Sequence, residues 1–579
     1  MASTPTLIID GQIARPPSNY RPSYWNHEFL MKNLKNHYKD EAYSRRATVL
    51  QENIRHQICH MYEEKGQIAL LEFINDIERL GLGYIFKQDI HKVLSFLEEN
   101  NIKPQEGLYE TALYFRLFRL HGLSISQDVF KVFKDRTDYF NEHLNKDIKG
   151  IWSLFEACYH AEEGEDILDE AKVYTRNILE NVKHGNDESL YDQVTRALRL
   201  PINYNAVRFE ARWYIDAYSE REDTDQVLLE LAKLDYNIRQ GSYQDELAVL
   251  SMWWNDLGVA EKLPYVRDCL IQAFAWSTGV ADLQHHKYCR HWHTKYAILL
   301  TLADDTYDNY ASLDEAKLLT EAVERWDIKT VDELPRYMKL VFLAWYNTTN
   351  ELAYNIFRDQ GLNILPYLRK KVRIAHVTTY QFIYPYICVY ELNVFISNFQ
   401  IEELFQTYMV ELIWFKTGYM PSFKEYMDQA AISVTAPILY LLAYVLTSPK
   451  ISIETLDYIL SYPDVIRLST SVIRLLDDLA TSKYEMERGD VPKAVQCYMN
   501  QEGVTEVDAR KYLWNLTDET EKKLNTAVRL ESSLPSDFLD LILNSNRMTH
   551  ALFQYGDGYG HPGSQMKQEF SAVIFDSVI

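Results

Sequence analysis

The stretch "ENIRHQICHMYEEKGQIALLEFINDIERLGLGYIF", Glu52–Phe86, carries the pattern that decides the fold. Its apolar residues recur at intervals of three and four, which is the period of an amphipathic α-helix. We predict two helices in it, divided near Lys65–Gly66. The segments Leu108–Gly122 and Gly164–Val182 show the same period, whereas strand alternation and a strand–Gly-rich-loop–helix unit are missing from the sequence. The sequence therefore predicts an all-α protein.

Length and composition agree with a helical protein of more than one domain. The chain has 579 residues, of which 47% are hydrophobic and 25% charged, with 20 glycines and 17 prolines. A chain of this length exceeds one compact core, so we expect two large domains. The polar stretch "YSEREDTDQ", Tyr218–Gln226, is the best candidate for the seam between them. We therefore predict an N-terminal helical domain at 1–222 and a C-terminal domain at 223–579.

Charge and cysteine usage exclude several classes of protein. The formal net charge of -23 leaves no basic surplus for phosphates, so no nucleic-acid partner is expected. No run of 18 uncharged apolar residues is present, which argues against a transmembrane helix. The six cysteines are scattered without metal-ligand spacing, which favours a reduced compartment. Because the N-terminal stretch resembles neither a signal peptide nor a long transit peptide, we expect a cytoplasmic location. Separately, we expect a monomer.

A group of carboxylates stands at the end of the apolar run "ILLTLADDTYDNYASLDEA", Ile298–Ala316. Asp304 and Asp308 are four residues apart, so a helix places both on one face, about one turn from each other. Two like charges so placed repel unless a cation lies between them. The alternative interpretation is a solvated helix C-terminus, although the helix dipole disfavours acids at that end.

A second stripe of oxygen ligands follows in "VIRLLDDLATSKYEMERGDVPKA", Val472–Ala494. Asp477, Thr481 and Glu485 fall at successive four-residue steps and therefore share one helix face. Hard oxygens of this kind suit Mg²⁺, which completes its octahedron with waters and substrate phosphate oxygens. Arg474 and Lys493 are near enough in sequence to hold a diphosphate. Taken alone, the stripe could equally be a salt-bridged helix face.

These two stretches resemble the metal-binding motifs of the class I terpene synthases of plants. "DDTYD" at 304–308 is similar to the aspartate-rich motif, and "DDLATSKYE" at 477–485 is similar to the second metal motif. The resemblance runs over nearly the whole chain, through "RPPSNYRPSYWNHEFL", "RFEARWYIDAY", "LPRYMKLVFLAWYNTTNE", "RGDVPKAVQCYM" and "YGDGYGHP". It implies a relic class II-like α-barrel followed by a class I α-bundle. The N-terminal half has no DxDD, so the resemblance implies that it is non-catalytic.

The resemblance also implies a site. Three Mg²⁺ ions, with Mn²⁺ as a substitute, would bridge a prenyl diphosphate to two walls. Asp304 and Asp308 would form one wall, and the other would consist of Asp477, Thr481 and Glu485. Arg267 matches the first arginine of the family's Arg-x-Arg clamp, and Arg474 and Lys493 match further diphosphate contacts. Trp276 matches an aromatic residue that faces the carbocation, and Tyr559 lies on the loop that closes over the site.

The sequence departs from the family pattern at the clamp and near the N-terminus. Cys269 stands where the second clamp arginine is expected, so a bidentate phosphate donor is lost. Arg15–Pro16 stands where monoterpene cyclases carry two arginines. This pair, with the missing transit peptide, favours farnesyl diphosphate and a sesquiterpene product. Geranyl diphosphate and a monoterpene remain the alternative.

Two readings from other classes of protein also stay open. A prenyl-chain elongating transferase should carry two DDxxD motifs, and the second motif here is of a different kind. The loss of the clamp arginine at Cys269, together with an insertion at Val372–Gln400, keeps a catalytically impaired, non-enzymatic relative as the other reading.

A segment of 29 residues, Val372–Gln400, interrupts the family pattern. It is rich in Tyr, Phe, Ile and Val, has Pro385 in its middle, and lacks a helical stripe. Valine codons begin with GU and one glutamine codon ends in AG, as the two ends of an intron do, and the insertion keeps the reading frame. We hypothesise a translated retained intron or a gene-model error; the alternative is a lineage-specific loop, which would have to be packed because it is so apolar. If the segment is present in the protein, we predict weakened or lost activity.

Overall fold

The computed structural model describes residues 8–9, 12–13, 23–100, 102, 107–185, 187–369, 401–488 and 491–579. Arg15–Pro16 and Val372–Gln400 lie outside the described residues, so the predictions made for them stand as predictions.

The described chain is built from α-helices, which confirms the all-α prediction. A two-residue strand pair, β1 (Ile8–Ile9) and β2 (Gln12–Ile13), is antiparallel. Short 3₁₀-helices occupy Gln127–Phe133, Glu142–Lys146, Ile202–Tyr204, Gln284–His286 and Ile328–Glu333. The α-helices are α1 His27–Asn33, α2 Glu41–Lys65, α3 Gln67–Arg79, α4 Gly83–Glu99, α5 Leu108–Leu120, α6 Ile148–Cys158, α7 Asp166–Leu179, α8 Glu188–Arg199, α9 Val207–Ser219, α10 Gln226–Leu257, α11 Val259–Lys262, α12 Leu270–Val280, α13 Lys287–Asn309, α14 Leu313–Arg325, α15 Arg336–Gln360, α16 Leu365–Arg369, α17 Ile401–Thr417, α18 Phe423–Ser433, α19 Ala436–Thr447, α20 Ile453–Leu460, α21 Asp464–Arg488, α22 Ala494–Glu502, α23 Glu506–Leu530, α24 Ser536–Phe553 and α25 Ser564–Ile574.

The stretch Glu52–Phe86 contains parts of three helices, one more than its pattern predicts. The predicted division is at Gly66, which has φ 87° and ends α2 in a conformation that favours glycine. A second division lies between α3 and α4, where Gly81 has φ 73°. Only a short turn separates these two helices, so the apolar period hardly changes across it.

Helix α10 joins the two halves of the molecule because it belongs to both cores. Its first half, including Leu228 and Tyr236, packs in the core formed with α2 to α5 and α9. Its second half, including Tyr243 and Trp254, packs in the large core of the C-terminal half. The domain boundary at 222/223 falls in the loop before this shared helix and stays a prediction.

Within the described residues, one stretch is long and apolar enough to cross a membrane, Phe423–Thr447, and 67% of its most apolar window is buried in the protein. In the structure the stretch is two helices, α18 and α19. They are divided at Thr435, which has φ 68° and precedes Pro437 in the first turn of α19. Its burial is that of core helices.

The helices on either side of residues 370–400 meet each other. Arg369, the last residue of α16, has Nη2 at 3.6 Å from Glu402 Oε1 in the first turn of α17. The residues that flank the segment 370–400 are therefore adjacent in space.

Candidate active site

The first wall is the end of α13, with Asp304, Asp305 and Asp308. Asp304 keeps 36% of its side chain exposed, whereas the side chain of Asp305 is fully buried. Arg267, in the loop before α12, binds both: its Nη2 is 2.5 Å from Asp304 Oδ2 and its Nε is 2.9 Å from Asp305 Oδ1. The backbone N–H of Arg267 also donates to Asp305 Oδ2 at 2.8 Å. The first aspartate is thus an outer group and the second an inner anchor.

Burial is the largest influence on the pKa of Asp305, the inner anchor of the first wall. It raises the pKa of Asp305 above its usual value, and the charge and hydrogen bonds of Arg267 oppose the shift. The arginine therefore favours the charged form of a carboxylate that burial disfavours.

The second wall is the face of α21 that carries Asp477, Asp478, Thr481 and Glu485. The guanidinium of Arg474 pairs with Asp477, and its Nε lies 3.1 Å from Asp478 Oδ1. Asp477 keeps 24% of its side chain exposed and Asp478 is fully buried, so the outer and inner division of the first wall recurs.

The remaining oxygen ligands of the second wall are linked to each other. The Thr481 hydroxyl donates to Glu485 Oε2 at 2.9 Å. Lys493, the N-cap residue of α22, has Nζ at 3.8 Å from Glu485 Oε1 on α21. The structure therefore brings together the predicted ligands Asp477, Thr481 and Glu485 with both predicted basic residues of this wall.

Glu411 on α17 relates the two walls. Burial raises its pKa, the positive charges of Lys493 and Arg474 oppose that shift, and Asp304 adds to it. Burial and then the charge of Asp304 likewise raise the pKa of Tyr408, one turn earlier on the same helix. Residues of α13, α17 and α21 belong to one hydrophobic core, and the buried Glu411 on α17 is within electrostatic range of groups on both walls. The two walls therefore border the same interior.

Several buried polar atoms on helices that pack against α13 or α21 have no hydrogen-bond partner among the described residues. They are Gln272 Oε1 and Trp276 Nε1 on α12, the Tyr408 hydroxyl on α17 and Asn546 Nδ2 on α24. Buried polar atoms are normally paired, so such a group indicates a place where water or a ligand completes the bonding. Trp276 itself is partly buried and packs against the large core.

Tyr559 lies in the loop after α24, close to the first wall. Its hydroxyl donates to Cys269 Sγ at 3.7 Å and lies 3.2 Å from Thr301 Oγ1. Cys269 is 1% exposed, and burial raises the pKa of its thiol to about 11. In the same loop Asp557 accepts hydrogen bonds from the Gly560 N–H at 2.6 Å and from His561 Nδ1 at 2.9 Å. The position of the missing clamp arginine is therefore filled by a thiol that contacts the loop tyrosine.

Sequence reasoning missed three groups of this site. Asp305 and Asp478 are the second members of the two "DD" pairs, and the doubling itself was the available signal. Asp478 accepts from the Tyr426 hydroxyl at 2.7 Å and from the Ala494 N–H at 2.9 Å, so it also holds the start of α22. Glu411 gave no signal, because its helix shows an ordinary apolar period.

The donor set suits a divalent cation shared with a substrate. Within the part of the chain that the structure describes, no three His, Cys, Asp or Glu side chains form a ready-made metal cage. The outer aspartates face arginines instead. This arrangement fits Mg²⁺, which is usually held by one or two carboxylates together with substrate phosphates.

Comparisons with known proteins cover both halves of the chain. The "Terpene synthase, N-terminal domain" model matches residues 24–198, and the "Terpene synthase family, metal binding domain" model matches 255–381 and 392–523. The break between the last two ranges falls within Val372–Gln400. The (-)-alpha-terpineol synthase of Vitis vinifera is 38% identical over 98% of this chain and 91% of its own length. "Myrcene synthase, chloroplastic" of Quercus ilex is 38% identical over 98% and 90%.

Two solved structures share the whole architecture. A limonene synthase with 2-fluorolinalyl diphosphate superposes with a TM-score of 0.88 at 33% identity, over 98% of this chain and 100% of that one. Isoprene synthase from grey poplar, in complex with three Mg²⁺ ions and dimethylallyl-S-thiolodiphosphate, gives 0.84 at 36% identity, over 96% and 99%.

Proposed function

Because this chain belongs to the terpene synthase family, we propose that it ionises geranyl diphosphate in the presence of Mg²⁺ and releases a monoterpene. The observation that carries the proposal is the pair of walls around one interior, each with an outer aspartate and an arginine. The choice of geranyl diphosphate rests on the relatives, which include terpineol and myrcene synthases. Farnesyl diphosphate, which the Arg15–Pro16 pair favours, is the second candidate.

The metal ligands of the proposal are the outer groups of both walls. Asp304 and Asp308 would bind Mg²⁺ on one side, and Asp477, Thr481 and Glu485 on the other. The grey poplar neighbour holds three Mg²⁺ ions, and we expect three here. When bound, Mg²⁺ neutralises the charge that develops on the leaving diphosphate.

The basic residues would bind the diphosphate itself. Arg267 and Arg474 now pair with the outer aspartates, and substrate phosphates can replace those carboxylates as bidentate partners. Lys493 adds a point charge beside Glu485. Binding would then exchange protein ion pairs for contacts with the substrate and would free the outer carboxylates for metal.

Two aromatic residues would control the cation. Trp276 would offer the face of its ring to the allylic cation, because the negative face of an aromatic ring attracts a cation electrostatically. Tyr559, held by Cys269 and Thr301, would keep its loop closed and exclude water until the chemistry is complete.

The direct test is product analysis by gas chromatography with geranyl and farnesyl diphosphate in separate reactions with Mg²⁺. We expect monoterpenes from geranyl diphosphate at a higher kcat/KM than any product from farnesyl diphosphate. The Asp304→Asn variant is the control for background hydrolysis. A higher kcat/KM with farnesyl diphosphate would establish the second candidate, and no turnover of either substrate would favour the non-enzymatic reading. Calorimetry with Mg²⁺ and an unreactive diphosphate analogue then distinguishes an inactive protein that still binds both from a protein that binds neither the metal nor the analogue.

The same assay tests the chain with and without Val372–Gln400. Because Arg369 and Glu402 are in contact, Lys371 can be joined to Ile401 without separating α16 from α17. We expect the shortened chain to be the more active one. Sequencing of transcripts from the source tissue decides the origin of the segment: its presence in every mature message would contradict the intron hypothesis.

Compartment and oligomeric state remain predictions. The Quercus ilex relative is named as a chloroplastic protein, and that location is known for that relative alone. A fluorescent fusion of the full chain tests the expected cytoplasmic location, and light scattering tests the expected monomer.

A further inference from the structure

Arg510 on α23 contacts α21, the helix that carries the second wall. Its Nη1 donates to the Leu479 carbonyl at 2.8 Å and its Nη2 donates to the Ser482 hydroxyl at 3.0 Å. Its Nε donates to Glu506 Oε1 at 2.7 Å, one turn earlier on α23. All three nitrogens of the guanidinium therefore bind protein acceptors, and two of these acceptors belong to α21.

The two acceptors on α21 lie among the predicted metal ligands in sequence but beside the face that those ligands share. Leu479 follows Asp477 by two residues, and Ser482 follows Thr481 by one. One residue corresponds to about 100° around a helix axis, so Ser482 projects to the side of the face with Asp477 and Thr481. Ser482 is fully buried. Arg510 thus binds the flank of α21 and leaves the ligand face open.

Apolar side chains make the neighbouring contact between the two helices. Leu475 and Leu479 of α21 share one buried cluster with Ala509 and Leu513 of α23. Hydrophobic contact is non-directional, so it holds two helices together more strongly than it fixes their rotation. Hydrogen bonds weaken steeply when their angles change, so the two bonds from Arg510 restrain the rotation of α21 against α23.

A small rotation of α21 is enough to disturb the metal ligands of the second wall. A helix with its side chains is about 10–12 Å across, so a turn of about 10° moves an outer atom by about 1 Å. Mg²⁺ demands near-ideal octahedral geometry with its oxygens at about 2.0–2.1 Å, so it tolerates such a displacement poorly. Asp477, Thr481 and Glu485 all belong to this one helix, so one rotation displaces the three together.

We propose that Arg510 is a positioning residue for the second wall: it fixes the rotation of α21, so that Asp477, Thr481 and Glu485 keep the geometry that Mg²⁺ requires. The inference rests on the proposed function, which supplies the metal. Removal of a group that orients metal ligands commonly lowers metal affinity or activity by about 10- to 100-fold, although the group never touches the metal.

The test is calorimetric titration of Mg²⁺ into the full chain in the presence of an unreactive diphosphate analogue. Arg510→Met keeps an unbranched side chain and removes the donors, so we expect its apparent Mg²⁺ affinity to be about tenfold lower than that of the wild type. Each titration is made below the melting temperature of the variant, so that a loss of fold is not counted as a loss of affinity. In the metal-free chain, the amides of residues 479–485 should exchange hydrogen faster in Arg510→Met than in the wild type.

The matched control is Lys511→Met, which removes a cation from the next, exposed position of α23 and should bind Mg²⁺ as the wild type does. Unchanged Mg²⁺ affinity or unchanged exchange in Arg510→Met, or an equal loss of affinity in Lys511→Met, would overturn the inference and leave the proposed function intact.

A second variant decides the question if Arg510→Met does not fold. Ser482→Ala removes only one of the two acceptors on α21, so we expect a smaller loss of Mg²⁺ affinity, about threefold. An unchanged affinity in Ser482→Ala then contradicts the positioning role. A wild type that binds no Mg²⁺ in the presence of the analogue overturns the proposed function and this inference together.

Discussion

The two walls of the candidate site use the same device but obtain its parts differently. In the second wall the arginine and its aspartates are neighbours on one helix: Arg474 precedes Asp477 by three residues and Asp478 by four. In the first wall Arg267 comes from the loop before α12, 37 residues before Asp304. One wall is therefore assembled by helix geometry, and the other requires two separate elements to pack together.

What the walls share is a division of labour within each aspartate pair. The outer member, Asp304 or Asp477, keeps exposed surface beside its arginine. The inner member, Asp305 or Asp478, is fully buried and accepts from a backbone N–H. The doubled aspartate combines one group available to a ligand with one group that fixes the arginine and a neighbouring loop.

The largest effect is expected at the outer positions. Asp304→Asn and Asp477→Asn should each lower kcat/KM by about 10³-fold, because each removes a charged ligand from the metal-bound diphosphate. Thermal unfolding should change little, since both side chains are partly exposed. The measurement is product formation from geranyl diphosphate beside a melting curve. Loss of fold in either variant would contradict the outer role.

The inner positions should show the opposite behaviour. Asp305→Asn and Asp478→Asn leave a largely buried arginine, Arg267 or Arg474, without its full charge partner, so we expect a loss of about 3 kcal/mol in the free energy of unfolding. Urea denaturation followed by circular dichroism measures this loss. The Asp314→Asn variant, in the first turn of α14, is the control for a general effect of removing an acid. Inner variants as stable as the wild type would break the comparison.

Substitutions of the two arginines should distinguish the two walls. Arg267→Lys and Arg474→Lys keep the charge but lose the bidentate fork, so each should lower kcat/KM by about 10- to 100-fold. Arg267→Lys should also loosen the loop before α12, because that residue is the link between two elements. Hydrogen exchange of the amides around residue 267 detects the loosening. If hydrogen exchange of these amides changes equally in the two variants, then it makes no difference whether the arginine comes from the same helix as its aspartates or from a separate loop.

The smallest effect is expected at Cys269. Cys269→Ser should change kcat/KM by less than about threefold, because a hydroxyl accepts from Tyr559 as the thiol does and no phosphate donor is lost. A raised thiol pKa of about 11 also means that Cys269 stays protonated and unreactive near neutral pH. Iodoacetamide should therefore label the exposed Cys59 and leave Cys269 unmodified in mass spectra. A large loss of activity in Cys269→Ser would assign the thiol a direct role.

The second wall was the more predictable part of the site. The shared face of Asp477, Thr481 and Glu485 follows from their four-residue steps. The structure adds the hydrogen bond between Thr481 and Glu485 and the contact of Lys493 with Glu485. In the first wall the shared face of Asp304 and Asp308 was equally readable. The link from Arg267 to this wall was available from the family resemblance and not from any spacing.

Other features were beyond local patterns. The contact of Tyr559 with Cys269 joins residues 290 positions apart, and a departure from the clamp motif predicts a loss without predicting what fills the space. The turn at Gly81 was missed because a single tight turn between two helices leaves their apolar periods almost in phase. Hydrogen bonds join Tyr440, Ser469 and Asn546, which lie on three different helices, and each of these residues alone looks like ordinary core in the sequence.

The sequence by itself determined that this protein is helical and which oxygen ligands share a helix face. Both properties depend on residues three and four apart, and such spacing is written directly in the chain. Only the tertiary structure decided that the two walls border one interior and that an arginine from a distant loop serves the first wall. These are contacts between elements far apart in sequence, whose positions depend on the packing of the whole core.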